Sequence, residues 1–402
     1  MAVNEMSFTQ VSTILNSLVQ QATGQTAIAP TNTYEFVTAA QTLLKTGYDP
    51  ILNAINQVLS ETIFSIRPYN RKFRGIEATA TQWGNHVRKL VPVSTGVEDD
   101  QRYKWPVAYN AGQTPPLGDG QSVDPYKIKK PKVLQLNFYG QSVYEDWQTY
   151  FRDQLDNAFT GPDELARFWS MITTEQSNKL EQFREEFARG TVANFIGGIL
   201  NGGDDSRIIH LLTEYNTATG LTLTATSVYQ PENFKAFIEW SFARIKSLCR
   251  LMTERSQLFQ TIVNNNPVLR HTDYNDMRIY LLAPYIDQVE NIVMTNIYND
   301  RYLSRVDFEP VTYWQSIESP DSINLTPGFI NTDGAWATGD AVEQDKIFGV
   351  IFDRDALGYA QTQSWSAPTP FNPAGGYYNI FWHETLKNWN DHTEKGIVLL
   401  LD

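Results

Sequence analysis

Apolar residues recur at helical spacing in several stretches of this 402-residue chain, and shorter stretches are apolar throughout. Phe8, Val11, Leu15, Leu18 and Val19 keep the three-to-four spacing of one helix face. After a linker GQTAIAPTN, Thr33 stands as a cap before Phe36, Val37, Ala40, Leu43 and Leu44, with Gly47 just beyond. Asp49-Pro50 opens a third helix carrying Ile51, Leu52, Ile55, Val58, Leu59 and Ile63. These stripes are narrow, and short helices need a partner surface. They predict an arm that lies along a body or a neighbour.

A much longer stripe follows. Thr160-Gly161-Pro162-Asp163 is a start signal, with Thr160 as cap and Asp163 in the first turn. Leu165, Phe168, Trp169, Ile172, Leu180, Phe183, Phe187, Phe195 and Ile196 then hold one face, about threefold longer than the usual globular helix. A break near Gly190 is expected, and Gly197-Gly198 and Asn201-Gly202-Gly203 read as stops. Gln230-Pro231-Glu232 opens another helix with Phe234, Phe237, Ile238, Phe242, Ile245 and Leu248. Beyond a polar turn at 264–267, residues 277–283 read as a buried strand, 285–297 as a helix, and 305–313 and 347–352 as strands. Near the C-terminal end, Ile397 to Leu401 form a continuous apolar run, which predicts a strand buried on both faces.

Residues 75–147 differ from the rest. Strand-like pieces at 86–93, 103–109 and 132–139 alternate with segments rich in Pro, Gly, Asp and Lys. Such a two-stranded excursion is too poor in apolar residues to build its own core.

Composition sharpens this picture. Aromatics reach 13% while charged residues are 19%, which suits a large aromatic core or a chain that buries surface against copies of itself. The net charge is −13, and this argues against simple nucleic-acid binding. The balance is uneven, however: residues 60–132 hold twelve Lys and Arg against seven Asp and Glu. A basic segment in an acidic molecule suggests a complementary contact that another copy could supply, and a solvated loop is the plainer reading. The candidate contacts are Arg102, Lys104, Lys127, Lys129, Lys130 and Lys132, with Phe8, Leu15 and Leu18 on the arm.

Catalytic patterns are missing. The sequence has no phosphate-binding GxxxxGK[ST], no GxSxG and no GxGxxG between strand and helix. His383-Glu384 begins a HExxH pattern, but Lys387 stands where the second histidine belongs. The remaining histidines (His86, His210, His271, His392) are scattered, and Asp353-Arg354-Asp355 reads as a turn acid pair. The lone Cys249 reads as a small core residue, so no intrachain disulfide is expected. No cofactor, no metal and no enzymatic activity are expected. MAVNEMSFTQVSTIL has no basic start or apolar core of an export signal, and no window is long and apolar enough for a membrane span.

The order of elements is a helical arm, a basic low-core hairpin, a very long helix, an α/β body and a buried C-terminal strand. The C-terminal pattern is IFGVIFDRDAL (347–357), PFNPAGGYYNIFWH (370–383) and IVLLLD. Together they resemble the major capsid proteins of tailed bacteriophages, in particular the phi29-like coat proteins of small short-tailed phages. The resemblance implies an α+β, Hong Kong 97-type fold. Residues 1–74 would be the N-terminal arm and 75–147 the extended E-loop. Residues 148–276 would hold the peripheral (P) domain with a spine helix over about 160–199 and the start of the axial (A) domain. Residues 277–345 would be mainly A domain, and 346–402 would return to the P domain. It also implies self-assembly into hexamers and pentamers of an icosahedral virion shell, built in the host bacterial cytoplasm around double-stranded DNA held without sequence-specific contact. The partners implied are a separate scaffolding protein, a portal protein and possible decoration proteins, with no membrane. Two other readings of the residues remain: a carbohydrate-active or sugar-binding protein, and a connector or tail component.

Overall fold

The computed structural model describes residues 8–23, 30, 32–44, 72–78, 87–93, 120, 122, 125–126, 128, 130–159, 161–264, 268–287 and 308–402. The helix read at 51–63, the strand at 103–109, Gly47, His86, Thr160 and most of the helix at 285–297 lie outside the described residues.

Two helices, α1 (Phe8–Thr23) and α2 (Thr33–Leu44), form where the apolar stripes predicted them. The cap of α2 lies one residue earlier than expected, because Asn32 Oδ1 accepts from the Glu35 amide at 2.9 Å. Strands β1 (Val87–Pro92) and β2 (Val133–Phe138) pair antiparallel as a hairpin, with Lys89 opposite Leu136. Strand β3 (Gly140–Phe151) runs directly on from this hairpin into a second sheet, and the sequence reading had placed its first half in the excursion. A short helix α3 (Arg152–Ala158) leads to the long helix α4 (Pro162–Gly202).

Helix α4 has 41 residues and spans about 60 Å. Its cap position is Gly161, with Pro162 in the first turn. It neither breaks at Gly190 nor stops at Gly197-Gly198; it ends at Gly203, which takes the left-handed conformation at φ 60°. The interior glycines are tolerated because packing compensates. A Cβ at Gly197 would lie 2.8 Å from Leu325, and one at Gly198 would lie 2.4 Å from His392.

The body follows with β4 (Ile208–His210), α5 (Leu211–Thr219), α6 (Pro231–Thr253), β5 (Met277–Leu282) and β6 (Phe308–Val311). Four short strands come next: β7 (Ile323–Leu325), β8 (Gly328–Ile330), β9 (Trp336–Thr338) and β10 (Val342–Gln344). The chain finishes with β11 (Ile347–Asp353), β12 (Leu357–Pro368), β13 (Tyr377–Asn390) and β14 (Gly396–Leu400). The strand read at 347–352 ends in the turn expected at Asp353-Arg354-Asp355. Asp353 ends β11 and turns the chain, its Oδ1 accepting from the Asp355 amide and its Oδ2 from Thr272 Oγ1.

Strands β4-β14-β11-β5-β6 form a five-stranded sheet, in which β11 is antiparallel to both neighbours and the outer pairs are parallel. All five residues of β14 and all seven of β11 are buried, as continuous apolar runs require. One face carries Ile279, Leu281, Ile351, Ile397 and Leu399 against Phe237, Phe242, Ile245 and Leu248 of α6, with Leu211 and Leu212 of α5. The other carries Tyr280, Val350, Phe352, Val398 and Leu400 against Ala188, Val192, Phe195, Ile196 and Ile199 of α4. Cys249 is buried in the α6 layer as expected, and burial pushes its thiol up to about 12.

The second sheet, β12-β13-β3, is antiparallel; both of its faces are covered where β12 starts, at 357–360, and along β3 one face is open among the described residues. At one end Tyr150, Tyr378 and Ile380 pack with Leu165 and Phe168 of α4 and with Val11, Leu15, Leu18 and Phe36 of the first two helices.

Candidate functional site

Three features stand apart from ordinary packing. The first is the turn between β13 and β14. Its residues Asp391, His392, Thr393, Glu394 and Lys395 are all buried, five polar or charged side chains in a row. Its backbone is held from several directions. The Asp391 amide donates to Ala356, the Thr261 amide to His392, the Asp353 amide to Lys395, and the Gly396 amide to Phe259.

The side chains of this turn find partners from distant parts of the chain. Lys89 of β1 reaches Asp391 Oδ2 at 2.9 Å and Glu394 Oε1 at 2.5 Å, and donates to the Asp355 carbonyl at 3.2 Å. Arg270 reaches Glu394 at 2.9 Å. Lys395 donates to the Glu254 carbonyl at 2.6 Å, and burial lowers its pKa to about 8. Arg207, almost fully buried, donates to the Gly396 carbonyl and to Thr261 Oγ1; burial lowers its pKa to about 10. Burial works against the charge of Asp391, but Lys89 and the Thr393 and Lys89 hydrogen bonds outweigh it and hold its pKa below the usual value. For Glu394 burial wins over Lys89 and Arg270, and its pKa is raised. Lys89 is raised because Asp391 and Glu394 together outweigh its desolvation.

His392 completes the turn. Its ring stacks on Phe195 at 4.8 Å and 6°, meets Phe329 edge-on, and sits over Gly198. Neither ring nitrogen has a hydrogen-bond partner among the described residues. Burial, with the nearby Arg207 charge, lowers its pKa to about 3, so the ring is neutral.

The second feature is the uncovered face of β12-β13-β3. Strand β3 alternates strictly: Tyr144, Asp146 and Tyr150 turn toward the chain, while Val143, Glu145, Trp147 and Phe151 turn out. Tyr144 stacks on Phe183 of α4, and Asp146 pairs with Lys179. On the outer face Trp147 stacks with Phe381, and Trp365 stacks on His383 at 3.9 Å. Phe151 meets Tyr377 edge-on. Val143, Trp147, Phe151 and Trp365 are each half exposed or more.

The third is the β1–β2 hairpin. Val91, Leu136 and Phe138 face the body, where the latter two pack with Ile330 and Trp389. Arg88, Leu90, Pro92 and Val133 face away and are exposed.

The predicted contacts fall unevenly on these features. Lys130 and Lys132 are exposed on the segment entering β2, whereas Arg102, Lys104, Lys127 and Lys129 lie outside the described residues. Leu15 and Leu18 are fully buried, and Phe8 is half-buried with its ring 6.4 Å from Phe36. Of the two surfaces expected for this stripe, a body or a neighbour, the buried Leu15 and Leu18 meet the body of their own chain. His383 lies in the aromatic face with Glu145, not beside a second histidine. Among the described residues, no group of three His, Cys, Asp or Glu side chains could hold a metal ion. The buried turn was missed, because DHTEKG reads in sequence as a solvated loop.

A family model described as Phi29-like phage major capsid protein matches residues 13–395. The chain belongs to that family. Among solved structures, a chain of the structure of head fiber and inner core protein gp22 of native bacteriophage P68 is 8% identical, with 85% of this chain and 87% of that chain covered and a TM-score of 0.52. A chain of the capsid structure of Staphylococcus phage Andhra is 10% identical over 85% of this chain and 88% of that chain, with a TM-score of 0.47. One from the asymmetric unit of the bacteriophage PhiM1 mature capsid is 13% identical over 84% and 89%, with a TM-score of 0.44. No curated protein sequence matches.

The fold is thus the α+β, Hong Kong 97-type capsid fold, and the protein is a phage major capsid protein, a structural component of the virion that assembles with itself. For such a protein the working parts are surfaces and the elements that aim them. Membership in the capsid family gives the chain a structural role, which is not the role that the carbohydrate reading assigned to it. Among the described residues, no helix is long and apolar enough to cross a membrane.

Proposed function

We propose that copies of this chain form hexamers and pentamers that close into an icosahedral shell around double-stranded DNA. In this reading residues 1–74 are the N-terminal arm, with α1 and α2 docked on their own chain. The E-loop spans 75–139, eight residues shorter at its end than the sequence suggested, because β3 is part of the body sheet. Helix α4 is the spine. The sheet β12-β13-β3 belongs to the P domain, and 277–345 contribute mainly to the A domain. The observation that carries the reading is the hairpin itself: it has an apolar and ionic side toward its own body and a side of Arg88, Leu90 and Val133 that is exposed among the described residues.

A net charge of −13 suits a shell wall that does not grip packaged DNA. A separate scaffolding protein directing closure, a portal at one vertex, optional decoration proteins and assembly in the host cytoplasm complete the proposal. Negative-stain electron microscopy of the chain, expressed with and without its neighbouring genes, tests it. Closed shells or five- and six-fold rings are expected; a monodisperse monomer under all conditions would count against it. Charge reversal at Lys127, Lys129, Lys130 and Lys132 is expected to block assembly or make it more salt-sensitive. Unaffected assembly would leave that run as a solvated loop.

A further inference from the structure

We infer that Lys89 is the positioning residue of the hairpin: seated in the buried Asp391–Glu394 turn, it fixes the angle at which β1 and β2 leave the body, and so the geometry each copy offers its neighbours. The second half of this inference rests on the proposed role of the hairpin in contacts between copies.

Besides its covalent continuation into β3, the hairpin has two kinds of attachment among the described residues. One is the small apolar cluster of Leu136, Phe138 and Ile330, with Val87, Leu134 and Trp389 at its margin. Apolar contact is non-directional and lets a two-stranded ribbon rock or slide. The other is Lys89, the one β1 side chain that reaches the body through directed bonds, to Asp391, Glu394 and the Asp355 carbonyl. These acceptors are themselves immobile. Asp391 is held by the Thr393 amide and hydroxyl, Glu394 by Arg270, and the turn by the backbone bonds described above. Asp391 and Glu394 are almost wholly buried, while the Lys89 side chain is 19% exposed at the mouth of the seat. The turn directly precedes β14 in the five-stranded sheet, so the hairpin is indexed to a strand buried along its whole length. Lys89 and Arg270 balance Asp391 and Glu394, so the seat is neutral only when Lys89 is in it.

Hydrogen exchange on the unassembled full chain tests the seat, and electron microscopy of assembled material tests its consequence. Lys89→Met is expected to raise amide exchange in 87–92 and 133–138 by about tenfold or more, with exchange in 396–400 unchanged. Lys89→Arg should restore protection. Because Lys89→Met leaves two buried carboxylates facing one arginine, the charge-balanced pair Lys89→Met with Glu394→Gln serves if the single variant fails to fold. In assembly, the freed hairpin should give particles of mixed diameter or open sheets in place of uniform shells. Unchanged hairpin exchange, or exchange that rises equally in 396–400, would overturn the positioning role. Raised hairpin exchange with shells of uniform diameter would overturn the link to assembly geometry, and a wild-type chain that never assembles would instead count against the shell reading.

Discussion

The five-stranded sheet is covered on both faces, by α5 and α6 on one side and α4 on the other, whereas β12-β13-β3 leaves one face open along β3 among the described residues. The inner strands β11 and β14 of the first are almost unbroken apolar runs with every residue buried. The second alternates, and its outward residues include Val143, Trp147, Phe151 and Trp365. Both rest on the same helix, so the difference is not one of position in the fold. It separates two tasks: one sheet is finished within a single copy, and the other keeps apolar area in hand.

The sharpest break of this contrast is a charge in the finished sheet. Val398→Asp places a carboxylate between β4 and β11 with no partner, and a loss of about 4 kcal/mol or more is expected, read by chemical denaturation. The buried turn beside that sheet is expected to respond to acid. A histidine in the unfolded chain takes its proton near pH 6.5, while folded His392 resists until about pH 3. Stability linked to this group is therefore complete above pH 6.5 and falls by about 1.4 kcal/mol per pH unit down to about pH 3. His392→Phe, which keeps a ring on Phe195, should flatten that slope in denaturation series at stepped pH.

Glycines of α4 give a smaller and opposed pair of effects. Gly198→Ala drives a methyl into the His392 ring and should cost about 1–3 kcal/mol. Gly190→Ala meets nothing within 4 Å and should stabilise by about 0.5–1 kcal/mol in the same assay. At the uncovered sheet, Trp147→Ser should change the denaturation midpoint little, within about 0.5 kcal/mol. A large loss of stability there would mean that this face is already part of the core.

Much of this architecture was legible because burial on two faces leaves a plain sequence mark. Ile397 to Leu401 read as an inner strand, and the stripe from Leu165 to Ile196 read as a helical face far longer than usual, though with a break near Gly190. The errors share a cause. Gly197 and Gly198 looked like stops because their contacts with Leu325 and His392 come from residues far along the chain, and Gly190 looked like a break although the helix carries it with open space beside it. The run Asp391 to Lys395 looked solvated because an ionic seat and a wet loop have the same composition. What tells them apart is Lys89, about 300 residues away in sequence. Strand β3 hid its period in a mostly polar segment whose larger apolar side chains point outward.

The strand order of the larger sheet also governs timing. Its members lie at 208–210, 277–282, 308–311, 347–353 and 396–400, and the latest of them, β14, is inserted between β4 and β11. On a ribosome, β4 has no neighbour to pair with until residues 396–400 emerge, nearly 200 residues later. Loop closure over such separations is slow, and the waiting strands expose apolar surface. The larger sheet therefore closes only once its last strand has been made, and until then its earlier strands are open to pairing with those of another copy.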